Sequence, residues 1–264
     1  MDQISKNLDK LQMDFAQMNG ELMSSLFHEQ TKRFPNALAS SPVSYDLDLL
    51  PECSRRAFKS YPSTSKVFLP EPQALPVHLD QLALRRKSVR AFSGQPALLE
   101  QVATQLSLSY RIKKEAATRP IPSGGALYPL ELYVTSLNIQ ETDAGLYHYH
   151  PALHALELLS DDPPFPRLQQ CLLPGSLPEG TAYIFCICGV LPRNSFKYGE
   201  LGYRLMLLEA GHLAQNILLV ATAQNLAAIP ICGFYDDRMH DYLEVDGLDE
   251  LCLYLIMVGQ PNVF

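Results

Sequence analysis

Apolar residues recur at three- and four-residue steps through Ile4, Leu8, Leu11, Phe15, Met18, Leu22 and Leu26. That spacing predicts an amphipathic helix over about residues 2–27. Gly20 interrupts any coiled-coil seam, so the stripe is expected to pack on its own domain or on a second subunit. Residues 35–76 carry Pro35, Pro42, Pro51, Pro62, Pro70, Pro72 and Pro76, which break long elements and predict an extended wrapping arm. Short helices are predicted over 78–86 and 97–109. Strands follow over Leu130–Ile139, over 146–149 and 153–159 as a hairpin around Pro151, and over Thr181–Val190. Gly202–Gln224 reads as the longest and most apolar helix. Strands at 226–231 and 251–258, with a short helix over 237–243 between them, complete the pattern. Fully apolar strands interleaved with helices imply an α/β or α+β fold around one long helix. The expected division is 1–76 as helix and arm, and 77–264 as the main domain.

Composition narrows the function. The 264 residues are 47 % hydrophobic and 19 % charged, with a net charge of −7, which excludes a mostly disordered chain. An acidic balance gives no support for nucleic-acid binding, and no apolar run reaches membrane-spanning length without a polar break. The N-terminus has no apolar run after its charges, so no signal peptide is expected and a cytoplasmic location is the simplest expectation. The six cysteines form no CxxC pair and read as reduced core thiols. Cys186 and Cys188 would point the same way from a strand, without a second ligand pair for a metal. There is no GxGxxG, no Walker lysine motif, no HExxH and no GxSxG.

Four constellations remain. Arg85, Arg86, Lys87 and Arg90 crowd around Ser88, either as a phosphate cradle or as a solvated basic turn. Pro120 to Pro129, PIPSGGALYP, can turn sharply and approach a planar ligand, or simply connect helix to strand. Glu209, His212 and Asn216 share a helix face in an apolar setting. They could meet a ligand edge, but core-stitching is the favoured reading for His212. Lys197-Tyr198 precedes that helix; both types can move protons, though a solvent-facing lysine is the simpler local reading.

In this order the segments resemble the nitroreductase-like flavoprotein superfamily, and within it the SagB-type dehydrogenase or azoline-oxidase branch. The similarity rests on Arg86-x-Ser88-x-Arg90-x-Phe92, on Pro122-Ser123-Gly124-Gly125-Ala126-Leu127-Tyr128-Pro129, and on Lys197-Tyr198-Gly199-Glu200. Gly202-Tyr203-Arg204 and Leu208-Glu209-Ala210-Gly211-His212 extend it. Leu201, where that branch usually has Arg, departs from the pattern, as does Gln224-Asn225-Leu226-Ala227, where a glycine turn is usual. The resemblance implies an α+β nitroreductase-like fold with a mixed central sheet, a homodimer, and FMN at the subunit interface. It implies FMN contacts from Arg86, Ser88, Arg90, Ser123, Gly124, Arg204 and Gly233, and catalysis by Lys197 and Tyr198. The activity implied is oxidation of thiazoline or oxazoline rings in a modified peptide, with oxygen reoxidising FMN and a separate cyclodehydratase complex as partner. A related oxidation of a non-azoline or nonribosomal intermediate, and NAD(P)H-dependent nitro or quinone reduction, stay open.

Overall fold

The computed structural model describes residues 23–32, 57–113 and 118–262. The chain divides between Pro42 and Val43 into two units. In the first, helix α1 (Met23–Gln30) is closed by Thr31, whose hydroxyl donates to the Phe27 carbonyl at 2.7 Å. The rest of the expected N-terminal helix, and residues 35–56 of the expected arm, lie outside the described residues.

The second unit is built on a seven-stranded sheet in the order β1-β4-β3-β2-β5-β7-β6. The strands are β1 (Lys66–Phe68), β2 (Leu130–Ser136), β3 (Gly145–His150), β4 (Ala155–Ser160), β5 (Tyr183–Val190), β6 (Ala227–Ile231) and β7 (Glu250–Gly259). Every pair of neighbours in the sheet is antiparallel, which corrects the expected mixed sheet. Short links join β2, β3 and β4 as a meander, and short links need antiparallel neighbours. The continuous apolar runs arise from cover on both faces, not from parallel pairing.

Alternation sorts the two cores. Leu130, Leu132, Val134, Tyr183, Phe185 and Ile187 face helices α3 (Leu99–Tyr110) and α6 (Leu201–Ala223). Tyr133, Ile184, Cys186 and Cys188 face helices α4 (Pro164–Cys171) and α7 (Asp236–Leu243). Cys186 and Cys188 therefore do point the same way, in a core shared with Cys171 and Cys252; burial pushes both strand thiols up in pKa. Cys232 is exposed. Helix α6, with 23 residues, is long and apolar enough to cross a bilayer, yet Met206, Leu213 and Ile217 pack it on the sheet. Helix α2 (Leu79–Arg85) lies against α6, and α5 (Pro192–Tyr198) packs on its N-terminal turn. The latter contact needs Gly202: a Cβ there would stand 3.1 Å from Asn194.

Candidate active site

The connection from Pro120 to Leu130 is the most strained stretch near α6. Gly125, Ala126 and Tyr128 take φ values of 64°, 54° and 46°, a left-handed geometry that only the glycine adopts freely. Local bonds hold it. The Ser123 hydroxyl accepts the Tyr128 N–H at 2.9 Å, and the Tyr128 hydroxyl accepts the Arg119 N–H at 3.2 Å. The buried Arg119 guanidinium lies 4.3 and 4.5 Å from the Tyr110 and Tyr128 ring centroids. It also donates to the Ala57 carbonyl at 2.6 Å, which pins the last part of the arm beneath the loop.

Helix α5 delivers Lys197 and Tyr198 onto this loop. A Cβ on Gly125 would lie 2.7 Å from the Tyr198 hydroxyl and 2.9 Å from Lys197 Nζ. Both polar tips thus meet directly above the glycine backbone. Lys197 Nζ also stands 5.4 Å from the Tyr198 ring centroid. Gly124 packs beside Leu205 of α6, with a would-be Cβ 3.2 Å from its Cδ1. Ser123, Gly124, Lys197 and Tyr198 therefore form one group.

The polar face of α6 completes it. Asn216 donates to the Pro120 carbonyl at 3.3 Å and so stitches helix to loop. His212 is exposed, which corrects its expected core role: it falls on the solvent side of the helix. Glu209 is only 2 % exposed, and among the described residues neither carboxylate oxygen has a hydrogen-bond partner. Burial pushes its pKa up to about 7, against the smaller opposing pull of the Ser123 hydroxyl and the Arg119 cation. A carboxyl that keeps its proton in the fold but loses it when unfolded makes stability fall as pH rises. For Glu209 the window runs from 4.5, the ordinary value, to about 7. Glu209→Gln should remove that slope and be the more stable protein by about 3 kcal/mol near pH 8, with near-equality close to pH 4. Parallel urea-unfolding stabilities of the two proteins across pH would refute it.

The basic cluster follows α2 and sits beside the other end of α6. Arg85 donates to the Asn225 side chain at 2.6 Å, and the Val89 N–H to the Ala228 carbonyl at 3.0 Å. Arg86 and Ser88 are half-buried and Arg90 is exposed. Among the described residues no carboxylate pairs with Arg86, Lys87 or Arg90. Arg204 is half-buried on the first turn of α6. Gly233 lies beyond β6, its carbonyl accepting the Leu173 N–H at 2.9 Å. Leu205, beneath Gly124, is in the second turn of α6, and Asn225, bonded to Arg85, lies just past the helix end at Ala223; the 18 residues from Leu205 to Ala223 span about 27 Å of helix axis. One chain therefore brings the Lys-Tyr pair to the glycine loop but does not bring the basic cluster to either.

Residues 83–260 match the nitroreductase family model. The chain belongs to the nitroreductase family. It is 28 % identical over 197 residues to a protein of Methanocaldococcus jannaschii named as a candidate nitroreductase, covering 75 % of this chain and 97 % of that one. It is 34 % identical over 157 residues to the microcin B17-processing protein McbC of Escherichia coli, covering 54 % of this chain and 55 % of that one. It is 30 % identical over 224 residues to the trifolitoxin-processing protein TfxB of Rhizobium leguminosarum, covering 82 % of this chain and 54 % of that one. The chain thus spans about half the length of these two processing proteins. A solved nitroreductase-type structure from Anabaena variabilis superposes with a TM-score of 0.72 at 22 % identity, over 93 % of this chain and 49 % of that one. Family, fold and relatives support an oxidoreductase of flavoenzyme type related to peptide-processing proteins.

Proposed function

We propose that the protein is an FMN-dependent dehydrogenase that oxidises thiazoline or oxazoline rings of a modified peptide to thiazole or oxazole. The observation that carries this reading is the convergence of Lys197 and Tyr198 on the Gly124–Gly125 loop. A nitro or quinone reductase draws on the same fold but has no need of a paired base there.

The donor set fits FMN. Arg86, Ser88 and Arg90 offer two guanidinium groups and a hydroxyl, free of carboxylate partners among the described residues, to a phosphate. In this reading the backbone of Ser123 and Gly124, beside the Lys-Tyr pair, faces the planar ring, with Arg204 on the first turn of α6 and Gly233, which packs beside Ser176 and Leu173 beyond β6, as further contacts. When bound, FMN supplies a hydride acceptor, and molecular oxygen is the terminal oxidant. The chain's own part is proton chemistry and alignment. Lys197 or Tyr198 takes the proton from the ring Cα as the hydride leaves, and the other orients it. The loop and α5 together hold the substrate ring at fixed distance and exclude water from that face.

A homodimer is part of this reading. Arg85 is bonded to Asn225, just past the C-terminal end of α6, while the glycine loop and the Lys-Tyr pair lie at the helix's N-terminal turns, an arrangement that supports a site shared between two copies. The peptide reaches that shared site as the product of a separate cyclodehydratase.

Purified protein should be yellow and dimeric, release FMN on denaturation, and convert an azoline peptide to a product lighter by two hydrogens. FMN reduction by NAD(P)H followed by nitroarene turnover, with no change in the peptide, would instead make it a reductase. Arg86→Ala should bind FMN more weakly by about 1.5–3 kcal/mol, the worth of a charged hydrogen bond. Unchanged FMN affinity in the folded variant would remove Arg86 from the phosphate site.

A further inference from the structure

A charged network runs through the sheet behind the site. His148 is fully buried between two carboxylates, Nε2 at 2.8 Å from Glu131 and Nδ1 at 3.0 Å from Glu157. Both acceptors are carboxylates, so both ring nitrogens donate and the imidazole carries its proton. Burial opposes that charge, but the two carboxylates outweigh it and raise the histidine's pKa. Both glutamates are lowered to about 2, against their burial, by His148 together with their cationic neighbours.

Each glutamate also ties in another part of the chain. Glu157 takes the Tyr61 N–H at 3.1 Å and lies 3.1 Å from Lys66 Nζ. Glu131 takes the Lys59 N–H at 2.6 Å and Arg193 Nη2 at 2.6 Å. Lys59 runs on to Glu250 at 2.7 Å, which also accepts from the Tyr133 hydroxyl at 2.7 Å.

Arg193 belongs to α5, the seven-residue helix that ends in Lys197 and Tyr198. Positions 193 and 197 are four apart and share one helix face. The segment carrying Gly125 reaches Glu131 only six residues later. Helix α5 is therefore fixed twice to one stretch of chain: by Arg193 on Glu131 at its start, and by the Lys-Tyr tips over Gly125 at its end. A helix this short has little stability of its own, so its docking sets its position.

We propose that Arg193 and Glu131, with His148 locking the glutamate, are positioning residues for the Lys197–Tyr198 pair. The proposal rests on the azoline-dehydrogenase reading for its kinetic consequence but not for its structural one.

Arg193→Ala is the clean variant, because Glu131 keeps His148 and the Lys59 N–H. It should stay folded, yellow and dimeric. Its kcat for an azoline peptide should fall about 10–100-fold at unchanged KM, the cost of a base about an ångström out of place. Arg193→Lys, which keeps a cation but loses the planar fork, should recover only part of the loss. The second readout is reductive methylation followed by peptide mass analysis. Lys197 should be modified at least about three-fold faster in Arg193→Ala than in wild type, while Lys66, ion-paired at the far side of the network, keeps its rate. General loosening would accelerate both lysines and would overturn the proposal, as would an unchanged Lys197 rate. If wild type leaves azoline peptides untouched, the functional reading fails, and the methylation result still decides the positioning one.

Discussion

Lys197→Ala is expected to remain folded, dimeric and loaded with FMN, and to lose at least about 10²-fold in azoline oxidation. Its side chain reaches over the Gly125 backbone, beside the Tyr198 hydroxyl, and is half-buried. In a dehydrogenation the proton must leave as the hydride departs, and a positioned base is worth about 10²–10⁴-fold. Tyr198→Phe keeps the ring and removes only the hydroxyl, so it isolates that group's share. If both residues act as a unit, the double variant should be about as impaired as the worse single one. Anaerobic stopped-flow rates of the three variants provide the check. Near-wild-type rates in the double variant would place the base elsewhere.

The second large effect is expected at a residue with no side chain. Gly125→Ala puts a methyl within 2.7 Å of the Tyr198 hydroxyl and 2.9 Å of Lys197 Nζ. The atoms in the way are the far ends of side chains, so the fold can yield by moving them. The backbone cost of a left-handed alanine is about 1–2 kcal/mol. Stability should therefore fall modestly, while activity falls about 10²-fold because the base pair is pushed off the loop. Urea unfolding and kcat, measured on one preparation, separate the two. A variant that loses activity only in proportion to the fraction unfolded would contradict the direct steric reading.

The sequence patterns that carry the fold differ in how visible they are. The runs of β2, β5 and β7 are long and apolar, and α6 spans six turns, so each was legible within a few residues. The hairpin of β3 and β4 declared itself through Pro151. Strand β1 is three residues and has no period to read. Helix α4 begins at Pro164 and holds Pro166 in its first turn, where missing N–H groups cost nothing, so prolines that usually break helices concealed one. Helix α5 starts at Pro192 and is too short for a hydrophobic stripe.

The site was legible as motifs but not as an arrangement. Ser123, Gly124, Lys197 and Tyr198 do come together, though 74 residues separate Ser123 from Lys197 in sequence. Arg86, Ser88 and Arg90 could not be seen to lie at the far end of α6, because position along a helix partner has no local signature. Arg119, Arg193 and the network at His148 were missed altogether. Their signal was present: Glu131, His148 and Glu157 are ionisable residues inside apolar strands, and a buried charge must have partners.

The central claim is that this chain removes a proton and a hydride from an azoline ring. Its most direct test is a single turnover without oxygen: the FMN-loaded protein mixed with an azoline peptide while the flavin absorbance is followed. The account predicts bleaching of one flavin per ring oxidised, with a peptide product lighter by two hydrogens. A flavin that stays oxidised with the azoline peptide, yet bleaches at once with NADPH or NADH, would contradict it.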